Sequence, residues 1–215
     1  YWNEQFKGEL PLLEVPTDRA RPVFKTYNGK VVNLNIDLAL SQEIKSLTQK
    51  NGGTLFMGLL AMVNSLLFKY TNQTDIILGS PIAGRNHVDL ENQIGFYVNT
   101  LALRTKFQVE NSFLDLLNVV KKVTLDAFEH QVYPFDELLE DLQLVRDMSR
   151  NPLFDIMVVL HNSGEAKSSA QQLGDLSVNQ FEAPSTVTSK FDLTFTFTES
   201  EEGIQLSLEY NTDLY

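Results

Sequence analysis

Residues 146–162 read RDMSRNPLFDIMVVLHN. The first half places two arginines and an aspartate within five residues and closes on Pro152. The second half, from Phe154 to Leu160, is a continuous apolar run. A short apolar run bounded by turn formers reads as a buried strand. Guanidinium forks lock carboxylates and carbonyls in fixed geometry. Arg146, Asp147, Arg150, Asn151 and Pro152 are therefore expected to clamp the chain as it enters that strand, and not to do chemistry.

The neighbouring segments supply the rest of the sheet. FDLTFTFTES (191–200) and GIQLSLEYN (203–211) alternate and are split by EEG, which predicts an antiparallel hairpin. DIILGSPI (75–82) is a second buried apolar run, YVNTLALRTKF (97–107) a further strand, and KVVNLNI (30–36) a weakly alternating one. Between 163 and 175, SGEAKSSAQQLGD reads as a polar loop.

Helices cover these strands. Over 112–129, Phe113, Leu116, Leu117, Val120, Val123, Ala127 and Phe128 form one apolar stripe, with Lys121, Lys122 and Asp126 off it. Ser41 is the expected N-cap of SQEIKSLTQK, with Ile44 and Leu47 sharing a face and Asn51-Gly52-Gly53 stopping the helix. Thr54 caps LFMGLLAMVNSLLFKY, which is apolar nearly all round and so expected to be buried on most sides. Pro134 suits the first position of another helix, with Asp136 and Glu137 near its positive end. YWNEQF reads as a helix end. Residues 10–24, with Pro11, Pro16 and Pro22, read as an extended linker lying on a surface. This order of elements predicts an α/β fold: a mixed sheet covered by helices.

The chain has 215 residues, 43% of them hydrophobic and 21% charged, enough apolar material for a core. Its formal charge of −11 argues against broad nucleic-acid binding. No apolar run of ~18 residues suggests a membrane span, and residues 1–20 lack a signal-peptide pattern. The absence of cysteine removes disulfides, thiol nucleophiles and Cys-based metal sites, and fits a reducing cytoplasm. The chain opens without an initiator Met, which reads as a piece of something longer.

No catalytic centre emerges from spacing. His87, His130 and His161 stand too far apart for a metal motif and show no triad partner, and no phosphate loop or nucleophile elbow is present. DELLED reads as a solvated helix face and ESEE as a turn. Three polar segments exceed what a surface needs. In IGFYVNTLALR (94–104), Gly95 permits a bend or a close backbone approach, and Asn99 must find amide partners if buried. In HQVYPFDELLEDL (130–142), Tyr133-Pro134 fixes the chain as it enters a helix. The third segment is RDMSRNPLF itself.

In this order the three segments resemble core motifs of the condensation domains of nonribosomal peptide synthetases. The fifth motif, (I/V)GxFVNT(Q/L)(C/A)xR, is matched by Ile94 to Arg104, with Tyr97 in place of Phe. The sixth, (H/N)QD(Y/V)PFE, is matched by His130 to Asp136, with Val132 where the family has Asp. The seventh, RDxSRNPL, is matched throughout by Arg146 to Leu153. LPLLEVPTDRARP, YTNQTDIILGSPIAGRNH and SKFDLTF also look like this family, so the resemblance spans essentially the whole chain. The third motif, HHxxxDG, which carries the histidine credited with condensation, is absent.

The resemblance implies a chloramphenicol-acetyltransferase-like two-layer α/β sandwich that is the C-terminal lobe of a V-shaped two-lobe domain. Residues 1–26 would be the linker and extended lead-in, and 27–215 the lobe. It implies amide formation between a donor and an acceptor aminoacyl thioester, with carrier proteins docking on opposite faces and their phosphopantetheine arms entering a tunnel between the lobes. No cofactor or metal is expected to bind this lobe directly, and the isolated chain is expected to be inactive. Asn99 and Thr100 are the first candidates to face the tunnel, then Ser80 and Arg85, then His87. Lys121, Lys122 and Arg146 are candidates for docking acidic carriers. Gly95, Arg104, Tyr133, Pro134 and Phe135 join the seventh-motif residues as structural.

The expected partners are the N-terminal lobe, donor and acceptor peptidyl carrier proteins and an adjacent adenylation domain, with no nucleic acid and no membrane. Some self-association through an uncovered apolar face is also expected. The alternatives are an epimerisation- or heterocyclisation-type relative and a non-catalytic module that binds carrier proteins.

Overall fold

In the computed structural model, which describes residues 1–85, 87–161 and 187–215, the chain runs α1 (Trp2–Gln5), β1 (Asn28–Asp37), α2 (Leu38–Lys50), α3 (Leu55–Thr71), β2 (Asp75–Ile82), α4 (Val88–Glu91), β3 (Asn99–Lys106), α5 (Phe113–Glu129), α6 (Phe135–Leu142), β4 (Ile156–His161), β5 (Val187–Thr188), β6 (Leu193–Ser200) and β7 (Gly203–Asn211). Among the described residues the strands form one sheet in the order β3-β2-β4-β6-β7-β1-β5. Strand β4 runs parallel to both β2 and β6, and the remaining pairs are antiparallel. The expected mixed α/β sheet is the one found.

The apolar run of β4 belongs at this position. Ile156, Met157 and Val158 are buried, as strands with parallel neighbours on both sides require. Gly79 of β2 leaves room for the ring of Phe154: a Cβ there would lie 2.1 Å from it. The hairpin β6–β7 is also as expected, with Leu193, Phe195 and Phe197 buried between half-exposed threonines and Ser200 facing Gly203 at the turn. Strand β1 pairs with β7 from Gly29 to Asp37 yet is exposed on both faces, which is why its alternation is weak.

Helix α3 supplies much of the core through Leu59, Leu60, Val63 and Leu67, and it packs on α5. Burial of each such side chain contributes roughly 1.5–3 kcal/mol. Thr54 caps α3 as expected, accepting from Met57 N. Ser112 caps α5 in a reciprocal pair with Asp115, and the Ser112 hydrogen bonds hold the Asp115 carboxyl below the usual range.

Four local expectations need correction. Strand β1 runs straight into α2, so the cap falls on Asp37, which accepts from Leu40 N at 2.9 Å. Ser41 lies inside that helix, donating to Ile36 O and accepting from Ile204 N, a buried joint between α2 and β7. Leu47 is exposed, and Thr48 shares the buried face with Ile44. Pro134 is the N-cap of α6, one position before its first turn, and β4 starts at Ile156, two residues later than the apolar run does. The polar stretch SGEAKSSAQQLGD lies outside the described residues.

Residues 10–24 carry no regular structure but are stapled down. Gln73 accepts from Glu14 N and donates to Leu12 O, Asp18 N reaches Leu214 O at 2.9 Å, and Lys25 N reaches Met148 O at 2.8 Å. Leu10, Leu13 and Val15 pack against the core.

Candidate functional site

The β2–β3 ladder runs from Asp75 and Lys106 at one end to Ile82 and Asn99 at the other; two devices meet at the Asn99 end and a third, at Arg104 opposite Ile77, lies toward the other end. Asn99 makes the first. Its amide nitrogen donates to Gln131 O and Tyr133 O, both at 2.9 Å, and its Oδ1 accepts from Thr100 N at 2.9 Å and Phe135 N at 3.1 Å. Pro134 offers no side-chain acceptor, so Asn99 caps α6 from a different strand. Tyr133 then bonds Asp141 in the last turn of α6, which raises the Tyr133 hydroxyl pKa. The HQVYPF segment is thus joined to the VNT segment through one amide.

The second device is the loop after β2. Arg85 donates to Leu90 O and Gly95 O and lies 4.5 Å over the Tyr97 ring. Gly95 takes the close-approach role, since a Cβ there would lie 2.9 Å from that ring. His87 is the exposed N-cap of α4, accepting from Asp89 N. The loop presents Ile94 and Phe96 to solvent, 105% and 90% exposed.

The third is Arg104, which is 2% exposed. It holds Asp75 bidentately (2.9 and 2.7 Å) and donates to Gln5 O and Glu9 O, while Gln5 donates back to Arg104 O. This arginine ties the segment after α1 to β3, the edge strand of the sheet.

Register separates two of the tunnel candidates. Thr100 is opposite Pro81, and Ser80 is opposite Leu101. Directly opposite residues share a face and neighbours along a strand do not. Ser80 and Thr100 therefore point to opposite faces, Ser80 buried and Thr100 half-buried. Of the docking candidates, Lys121 is half-buried and donates to Asn51 O at 2.8 Å at the C-terminus of α2, whereas Lys122 is exposed.

The seventh-motif segment is a clamp, but Arg146 is not part of it. Arg150 donates to Asp155 at 2.7 Å, Asn151 N donates to the other Asp155 oxygen, and Asp147 accepts from Ser149, which lowers the Asp147 pKa. Leu153, at φ 73°, sits at the centre of a γ-turn closed by Phe154 N to Pro152 O. Such a turn is strained and persists where its surroundings hold it. Arg146 is exposed, makes no hydrogen bond or ion pair among the described residues, and stands at the rim of a neighbouring cleft.

Sequence reasoning missed the clamp's other half. Phe154-Asp155 leads into β4 and Phe191-Asp192 leads into β6. The two rings stack at 5.7 Å, Asp192 N donates to Asp155 O, and Arg21 pairs with Asp192 as Arg150 does with Asp155. Burial raises the Asp192 pKa despite Arg21. Lys25 reaches Asn151 Oδ1 and Lys190 O, and burial lowers its pKa. The available signal was the repeated Phe-Asp pair before an apolar strand, a lone carboxylate where burial demands a partner.

Comparison with known proteins decides the family. The Condensation domain family model matches residues 1–215. The chain belongs to the condensation domain family. It is 44% identical over 215 residues to surfactin synthase subunit 1 of Bacillus subtilis (strain 168) and 44% identical over 215 residues to tyrocidine synthase 3 of Brevibacillus parabrevis. All of this chain is covered in both, but only 6% and 3% of those proteins. Among solved structures, it superposes on the X-domain from teicoplanin biosynthesis with a TM-score of 0.88 at 24% identity, covering 100% of this chain and 48% of that one. A four-domain nonribosomal peptide synthetase bound to AMP and glycine gives a TM-score of 0.86 at 23% identity, covering 100% of this chain and 17% of that one. These likenesses show the fold, which is the chloramphenicol-acetyltransferase-like α/β fold of condensation domains.

Proposed function

We propose that this condensation-family chain is the C-terminal lobe of an amide-forming condensation domain in a nonribosomal peptide synthetase acting in the cytoplasm. Residues 1–26 are its lead-in and 27–215 the lobe. In the reaction, the acceptor amine attacks the donor thioester carbonyl, the C–S bond breaks, the donor thiol leaves and the amine's proton passes to a base. Phosphopantetheine belongs to the carrier proteins. This chain has no HHxxxDG histidine, so it acts by positioning while the other lobe manages the proton.

The observation that carries this reading is the exposure of Ile94 and Phe96 on the loop that Arg85 bridges. Apolar side chains held out from an arginine-stitched loop, beside the joint that binds the VNT and HQVYPF segments, mark a face built for another protein surface. The N-terminal lobe covers it. Asn99 shapes the tunnel edge from behind and Thr100 contributes side chain to it. Lys122 and Arg146, both exposed, remain the docking cations for acidic carriers, and an adenylation domain lies alongside.

Sedimentation of this chain mixed with a separately produced N-terminal lobe tests the reading. A 1:1 complex that Phe96→Asp and Ile94→Asp dissolve, with the far-ultraviolet spectrum unchanged, is the expected result. A complex insensitive to both, or no complex, overturns it.

A further inference from the structure

The sheet has two edges, and they are finished differently. At β3 the edge is covered: Leu101 to Thr105 are buried, and Arg104 exchanges hydrogen bonds with Gln5 of the lead-in. At the other side β5 covers β1 only at Asn28 and Gly29 among the described residues. From Lys30 to Asp37, β1 is paired on one side alone, with β7. Thr212 N donates to Asn28 O on the β7 side, and Ser189 N donates to Tyr27 O on the β5 side. Even-numbered residues of β1 therefore turn their backbone groups toward β7 and odd-numbered ones toward the open edge. Val31, Asn33 and Asn35 present N–H and C=O groups outward with no partner among the described residues.

Native sheets guard an open edge with charge, proline or a bulge. This edge has none of them. Residues 31–35 read VVNLN, without charge or proline, and the register with β7 runs unbroken from Gly29 to Asp37. One side of the strand is also apolar. Helix α2 meets that side at the Ile36 end, where Ser41 bonds Ile36 O and Ile204 N. Val32 and Leu34, opposite Leu208 and Leu206, are left 55% and 58% exposed. The other side is polar: Asn33 accepts from Ser207 at 2.6 Å, and Asn35 is exposed.

We propose that this edge pairs with the same edge of a second copy of the chain, antiparallel about a two-fold axis at Leu34. The free run sets the register. The outward-turned residues left between β5 and α2 run from Val31 to Asp37, and their midpoint is Leu34. Asn33 then meets Asn35 of the second copy, and Asn35 meets Asn33, each pair exchanging two backbone hydrogen bonds. Leu34 meets its own mate in a non-hydrogen-bonded pair, where side chains come closest. Val32 meets Ile36, so the apolar strip continues across both copies and the asparagines line up on the polar side. Pairing of β1 with β3 of another copy would build an open filament, but β3 is covered, and the two-fold contact closes on itself. The self-complementary run of donors and acceptors, with apolar and polar sides both matched, selects a second copy as the occupant. This contact does not rest on the condensation reading, and it lies across the sheet from the loop that carries Ile94 and Phe96.

One strand pair is a small interface, below the ~1,200 Å² of standard complexes, so the dimer is weak, with a Kd on the order of 100 μM. The test is sedimentation equilibrium of the full chain from about 10 to about 500 μM, in about 0.15 M salt to screen the net charge. Asn35→Pro deletes an outward donor and leaves the β7 ladder alone, and Leu34→Lys places a guarding charge at the axis. Each should weaken association about tenfold or more, with the far-ultraviolet spectrum unchanged. The chain has no cysteine, so Leu34→Cys puts one thiol on each copy, at the ~4.5 Å Cα separation of such a pair, within disulfide reach. Under air oxidation it should crosslink about tenfold faster than Val31→Cys, which lies off the axis on the other side of the strand. Ile94→Asp and Phe96→Asp should leave the dimer intact. A monomer at the highest concentration, species larger than dimers, indifference to both Asn35→Pro and Leu34→Lys, equal crosslinking of the two thiol variants, or a dimer that Phe96→Asp dissolves would each overturn the proposal.

Discussion

Asn99 Oδ1 accepts the backbone N–H of Phe135 at 3.1 Å, so a residue at the end of β3 caps a helix 36 positions away. The same side chain holds the carbonyls of Gln131 and Tyr133. Replacing Asn99 with Ala removes a cap and two donors together. The expected loss is about 1–3 kcal/mol, with amide exchange accelerated first in residues 135–142. Asn99→Asp should not rescue it, because a carboxylate keeps the acceptor but sets negative charge against two carbonyls. Denaturant unfolding and hydrogen exchange of both variants check this.

Arg104 should matter for a different reason. Its guanidinium is buried, pairs with half-exposed Asp75 and holds Gln5 O and Glu9 O. Arg104→Met leaves the carboxylate without its fork, at a cost of about 3 kcal/mol. It also releases residues 5–9 from the edge of the sheet. Limited proteolysis should cut there before the core unfolds, and Arg104→Lys should be only partly protective because an ammonium cannot bond bidentately.

Arg150 and Arg146 separate clamp from surface. Arg150→Met strands Asp155 in a buried position and is expected to destabilise by about 3–5 kcal/mol. Arg146→Met touches no partner among the described residues and should stay within about 0.5 kcal/mol of the parent. Paired urea titrations give the comparison directly.

Alkaline pH offers an independent check. Burial, then the nearby Asp192 carboxylate, push the Tyr215 hydroxyl from 10.0 up to about 12. Tyr1 is raised to about 12 as well, by burial and then Asp126. A hydroxyl with a raised folded pKa keeps its proton longer in the folded state. Its contribution is therefore full below pH ~10 and lost as pH climbs toward ~12. Tyr215→Phe should make the fall of stability across that window shallower, and Tyr1→Phe with Tyr215→Phe shallower still. Parallel curves for parent and variants would contradict this assignment.

The sequence made legible what is local or periodic. The alternation of Phe195 and Phe197 with threonines announces the hairpin, and the stripe through Leu116, Leu117 and Val120 announces α5. The capping of α2 was misplaced because Ser41 and Asp37 both suit the role, and only the abrupt passage from β1 into α2 chooses between them. The clamp was legible as a density of Arg and Asn, but its partners were not. Arg21 reaches Asp192 and Lys25 reaches Asn151 across more than a hundred residues, and such separations leave no mark on local composition. Asn99 showed the same limit: an amide in an apolar strand demands partners, yet nothing nearby says that they are the carbonyls before α6.

On the proposed reading, this lobe positions carrier-borne thioesters while another lobe supplies the base. Incubating the chain with donor- and acceptor-loaded carrier proteins, with and without a separately produced N-terminal lobe, and measuring dipeptidyl thioester by mass spectrometry tests that division of labour most directly. Amide product is expected only when both lobes are present. Product formed at a comparable rate by this chain alone would contradict it.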